Sequence, residues 1–279
     1  LAEHVQTREP CLRHVYEMLR ATPPEPSLDY RIGSQRAVGA SDWRELFRCI
    51  RDRATAAEID VGTSPPLSHE KLVNLIQFYQ HVSAYAFLGW SLATAARPIS
   101  PRSTILLKGD EAFVIDKSTR AHLERREVPI VASVKQQIES AWRLLNQVIA
   151  LAREQDPVQI HLEYQSDRIQ LAPWVYWSRS EIKVQDVRME HVRRWSMCFD
   201  CNLRRWPINV ARHSAVAMLR DRVSTVALDA LLGHARGSRD VASTWSGLPL
   251  SQVFAELRPA MNAMLTDVGY QPLRVGSYE

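Results

Sequence analysis

Lysine is scarce in this chain. Of 35 basic residues only five are Lys (Lys71, Lys108, Lys117, Lys135 and Lys183), and the rest are Arg. A guanidinium forks onto phosphate, so the bias suits a polyanionic partner. The base composition of the source genome produces the same bias. Net charge is only +4, so a surface for such a partner must be one face and not the whole molecule. Cysteine is also scarce: Cys11, Cys49, Cys198 and Cys201. The last two form a single CxxC with no second pair of Cys or His. A structural zinc site normally takes four ligands, so free thiols and no metal are expected. No run approaches the ~18 apolar residues of a membrane span. Residues 1–20 mix acids and bases and contain no apolar h-region. No membrane partner and a cytoplasmic location are expected. Internal repeats and low-complexity tracts are lacking too.

What is present is a globular composition, 46% hydrophobic and 24% charged over 279 residues. That length suits one large domain or two moderate ones. The chain opens on Leu1 and not on Met, so a piece of a longer protein is expected, with an upstream part missing.

Periodicity gives a mainly helical reading. Residues 10–21 and 41–58 read as helices, the second with Trp43, Leu46, Phe47 and Ile50 on one face and Ser41 as its N-cap. TPPEPS and GTSPP read as breaks. The second break predicts a boundary, with 1–66 as an N-terminal helical segment and 67–279 as the main domain. Ser68 is expected to cap a helix over SHEKLVNLIQFYQHV, followed by a second, apolar helix over 84–95. Residues 104–108, 112–117 and 126–130 read as short strands, with a turn at Gly109-Asp110. A long helix over 133–153 carries Val134, Ile138, Trp142, Leu145 and Ile149 on one stripe. Region 156–190 is hard to read; it shows strand-like fragments, IHLEY and WVYWS, and has room for an insertion. Helices resume over 209–222, 224–233 and 251–267. The expected fold class is mainly α with a small antiparallel β-sheet.

Four blocks carry chemistry. Arg97 closes the apolar run GWSLATAARP. Lys117 follows AFVID and precedes the segment Arg126, Val128, Pro129, Ile130. Asn209, Arg212 and His213 open a helix in INVARHS. His234 ends a helix in LLGH, 22 residues after Arg212. Singly, Arg97, Lys117 and His234 each have a plain structural reading: a dipole-capping Arg or His, or a solvated turn Lys; the Asn209, Arg212 and His213 block is the strongest of the four. In this order and these contexts, over about residues 67–272, the set resembles the catalytic domain of the tyrosine recombinases, or phage integrases. The Pro-x-Asn-x-x-Arg-His block is most similar to a group of large bacterial integrase-like proteins, in which Asn209 stands where other members carry His.

The resemblance implies the tyrosine-recombinase fold and a partner, double-stranded DNA. It implies self-association or a sister recombinase on that DNA, no cofactor, and a nucleoid-associated bacterial protein tied to mobile elements. Residues 1–66 would then be the end of a core-binding domain, or a linker. Arg97 and Arg212 would neutralise the non-bridging oxygens of the scissile phosphate. Lys117 would act as general acid on the leaving oxygen. Asn209, His213 and His234 would hold the phosphate. The nucleophilic Tyr should follow His234 by roughly nine to eleven residues. The chain reads Trp245 there, and an indole donates one N–H but cannot attack phosphorus. Three readings stand open: a DNA-binding protein impaired or silent in cleavage, an active integrase using a displaced Tyr270 or Tyr278, or a helical protein with accidental motifs.

Overall fold

The computed structural model describes residues 37–96, 106–108, 110–115, 125–155, 159–162, 171–178, 181–197, 202–233 and 250–276. Contacts divide the chain at Gln35/Arg36, and the unit from Arg36 to Glu279 contains every described residue.

Helix α1 (Ala40–Thr63) buries Trp43, Leu46, Phe47, Ile50, Ala54, Ala57 and Val61. These recur at spacings of three and four, one stripe of a 3.6-residue helix. Its cap is Gly39, with no side-chain bond, so Ser41 lies inside the first turn and does not cap it. The stripe packs against α2 (His69–Thr94). The compact unit therefore starts at Arg36 and not at 67, since apolar burial binds α1 to α2 across the proline-rich break.

Helix α2 is buried nearly all round from Phe78 to Thr94. Its cap is Ser68, whose hydroxyl accepts from the Lys71 amide at 3.0 Å. The two helices expected over 68–95 are one. Ser83, at the anticipated break, is fully buried, and its hydroxyl lies 3.2 Å from each of the Ala172 and Pro173 carbonyls. Tertiary contact thus satisfies the polar group that the sequence presents as a helix ending.

Strands β1 (Leu106–Lys108), β2 (Glu111–Ile115) and β3 (Arg125–Pro129) form an antiparallel sheet in that order. Val114 pairs with Arg126, and Ile115 with Arg125. Helix α3 (Ala132–Glu154) comes next. Val134, Ile138 and Leu145 of its stripe are buried, and Trp142 and Ile149 are partly so. The strand-like fragments of region 156–190 form a second sheet. β4 (Gln159–Leu162), β5 (Trp174–Ser178) and β6 (Glu181–Gln185) lie in the order β4-β6-β5. β5 and β6 are antiparallel and β4 is parallel to β6, so the β structure is partly mixed. A parallel neighbour needs a long connection, which is why periodicity alone did not assemble it. Trp177 and Ile182 pair across this sheet, and the Val175 carbonyl takes a 2.8 Å bond from Gln80 of α2.

Helix α4 (Met189–Ser196) and a 3₁₀ turn (Asn202–Arg205) lead to α5 (Val210–Leu219), α6 (Thr225–Leu232) and α7 (Leu250–Asp267). After α7, Gly269 takes φ +67°, and the chain runs back over the body. Arg44 and Arg51 of α1 bond the carbonyls of Asp267 and Gly269. The Leu273 amide donates to buried Gln137 of α3 at 2.6 Å. The described residues are mostly helical, with two small sheets. No helix among them is long and apolar enough to cross a membrane.

Candidate functional site

The Trp206-Pro207 turn delivers the chain to α5. Trp206 packs on Trp43 of α1, ring centroids 4.9 Å apart. The Val38 amide donates to Ser214, buried in the second turn of α5, at 2.9 Å. Asn209 precedes the first helical residue with φ −89° and ψ 15°, and its side chain does not cap the helix. Its Oδ1 is buried without a hydrogen-bond partner. The Asn209 carbonyl accepts from the His213 backbone amide at 3.1 Å, and the His213 side chain is half-buried.

Arg212 is 8% exposed. A guanidinium stays charged at any ordinary pH, so it must find acceptors where it is buried. Nη1 donates to the Ala95 carbonyl at 2.8 Å, and Nη2 to the Leu232 carbonyl at 2.7 Å. Ala95 ends α2, and Leu232 ends α6. Ala95 is left-handed, with φ 51°, the turn that precedes Pro98 in sequence. α6 is capped at its start by Ser224, which accepts from the Ala227 amide at 3.2 Å. Glu256 of α7 holds Ser224 by both hydroxyl and amide. At the other end Gly233 adopts φ 63°, which glycine does without steric cost.

So the ends of α2 and α6 meet on one guanidinium of α5. Arg97 follows Ala95 by two residues, and His234 follows Leu232 by two. Arg97, Lys117, His234, Trp245, Tyr278, Cys198 and Cys201 themselves lie outside the described residues. The β2–β3 pair that flanks Lys117 in sequence is formed, closing at Ile115 and Arg125. No group of His, Cys, Asp and Glu suited to a metal occurs among the described residues.

No family model, curated protein or solved structure matches this chain. Function therefore rests on the site's own chemistry.

Tyr270 is in the core. Its ring stacks on Tyr85 at 4.8 Å and meets Phe47 edge-on at 5.0 Å. Burial pushes its phenol well above the ordinary tyrosine value, and neighbouring Tyr85 adds to the rise. A nucleophile needs the opposite shift and access to phosphorus, so Tyr270 in this fold is a packing residue. Sequence reasoning missed Ala95, Leu232, Trp206 and Ser214. Two act through backbone carbonyls, which no side-chain motif encodes. The others act through contacts with residues about 160 or more positions away.

Proposed function

We propose that this chain is a DNA-binding protein of the tyrosine-recombinase type, with a phosphate-gripping pocket that lacks its nucleophile. The observation that carries the reading is the pair of hydrogen bonds that Arg212 donates to the Ala95 and Leu232 carbonyls. Arg97 and His234 each follow one of these two carbonyl residues by two positions, and two residues of chain span at most about 7 Å. Arg212 thus bonds two helix ends far apart in sequence, each followed two residues later by a motif residue. Accidental motifs give no reason for such convergence.

In this reading Arg97 and Lys117 meet a backbone phosphate, Asn209 and His234 orient it, and the site's cations offset its charge. Duplex DNA is the partner, bound with other copies of the chain or a sister recombinase, in the bacterial nucleoid. Trp245 supplies no attacking oxygen, so the site holds DNA without forming a phosphotyrosyl bond. The active alternative now falls to Tyr278, since Tyr270 is packed in the core.

The test is covalent trapping on a nicked suicide duplex. The unaltered protein is expected to bind the duplex in a salt-sensitive way and to form no adduct. Trp245→Tyr is expected to form one if the other groups remain aligned to about 0.5 Å. An adduct from the unaltered protein mapped to Tyr278 would establish the active reading. Binding that ignores salt and survives Arg97→Ala would remove the family altogether, since each lost phosphate contact should lower the salt slope by about one.

A further inference from the structure

We propose that Arg212 is a positioning residue: its single guanidinium fixes together the C-terminal ends of α2 and α6, the ends that precede Arg97 and His234 in sequence. The proposal rests on the recombinase-type reading and adds helix-end positioning to the phosphate contact which the resemblance implies for Arg212. Three features point to it. The first is electrostatic. The last carbonyls of a helix lack intrahelical donors and carry partial negative charge. Arg212 places one charge against two such ends at once, at 2.8 and 2.7 Å. The second is strain. Ala95 is a fully buried non-glycine residue with φ 51°, a left-handed conformation that is unfavourable for an L-residue. It persists only where its surroundings hold it, and the bond to its carbonyl is such a hold. The third is anchorage. Arg212 sits between the Trp206–Trp43 contact and the Ser214–Val38 bond, so α5 is fixed from both sides before it reaches the other two helices.

Lysine cannot replace this arrangement, because an ammonium lacks the planar fork that spans two carbonyls. The distinction makes the test. Hydrogen exchange is measured on the folded full chain without DNA, for unaltered protein, Arg212→Lys and Arg212→Ala. Exchange in the last turns of α2 and α6 is expected to rise about tenfold in both variants, with the middle of α3 unchanged. Ala95→Gly added to Arg212→Lys is expected to recover protection at the end of α2, where glycine takes the left-handed turn freely, but not at α6. On a duplex, Arg212→Lys is expected to bind as weakly as Arg212→Ala despite keeping its charge. Adding Arg97→Ala to Arg212→Ala is expected to cost less than about twofold more, because a mispositioned Arg97 has little left to lose.

Exchange in both turns staying within about twofold in Arg212→Lys would overturn the proposal, whatever the DNA results. So would losses from Arg97→Ala and Arg212→Ala that multiply independently. If the unaltered protein shows no salt-sensitive duplex binding, the recombinase-type reading fails, and the exchange data alone decide whether Arg212 joins the two helix ends.

Discussion

Tyr270→Phe separates a packing tyrosine from a displaced nucleophile. The change removes one hydroxyl and keeps the ring, so the contacts with Tyr85 and Phe47 persist. The hydroxyl is buried and has no hydrogen-bond partner. Leaving such a group unsatisfied costs on the order of 1–3 kcal/mol by mutational measures. Part of that gain is offset, because the vacated space loses a few dispersion contacts. The expected result is a stability gain of about 1 kcal/mol, or roughly 2–4 °C in Tm for a unit of this size. Urea and thermal unfolding measure it. Gly89→Ala tests the same packing from the opposite side. A Cβ there would overlap ring carbons Cε2 and Cζ of Tyr270 as well as its oxygen. Helix propensity alone would favour Ala by about 1 kcal/mol, yet overpacking costs roughly 1–3 kcal/mol or more, so a net loss is expected. Phenylalanine at 270 should not rescue it, because the ring carbons remain. A loss of more than about 1 kcal/mol in Tyr270→Phe would show that the phenol is hydrogen-bonded and refute this account. A DNA adduct lost in Tyr270→Phe alone would return Tyr270 to the role of nucleophile.

Acid should weaken the fold through His81. Burial lowers its imidazole to about 4, with Arg53 nearby adding to the effect. Its contribution is complete above the ordinary 6.5 and is lost as pH falls toward 4, reaching about 3 kcal/mol. The urea midpoint of the unaltered protein should therefore fall between pH 7 and 4.5 more steeply than that of His81→Gln; parallel curves would contradict the assignment. Ser68→Ala removes the cap of α2 and should cost about 1 kcal/mol by urea unfolding, with Ser68→Asp nearly neutral. Trp43→Ala should cost about 3–5 kcal/mol as a core truncation, and exchange should also rise at the start of α5, since Trp43 packs on Trp206. Purified, chelator-washed protein should hold no zinc at Cys198 and Cys201; stoichiometric metal by elemental analysis would overturn that.

Much of the secondary structure was legible because it depends on short-range periodicity. The stripes of α1 and α3, the Ser68 cap, the three strands before α3 and the glycine ending of α6 all arise from residues a few positions apart. The order and spacing of Arg97, Lys117, Asn209, Arg212 and His234 were legible too, and with them a candidate chemistry. Only the tertiary structure decided the rest. Whether α2 breaks at Ser83 depended on two carbonyls near position 172. Whether α1 belongs with the main unit depended on what its apolar stripe could bury against. Whether Tyr270 was free to react depended on Tyr85, Phe47 and Gly89 enclosing it. That Arg212 joins two helix ends depended on backbone carbonyls at positions 95 and 232. Every residue carries such a carbonyl, so no side-chain pattern marks those two; only the path of the folded chain brings them to one guanidinium.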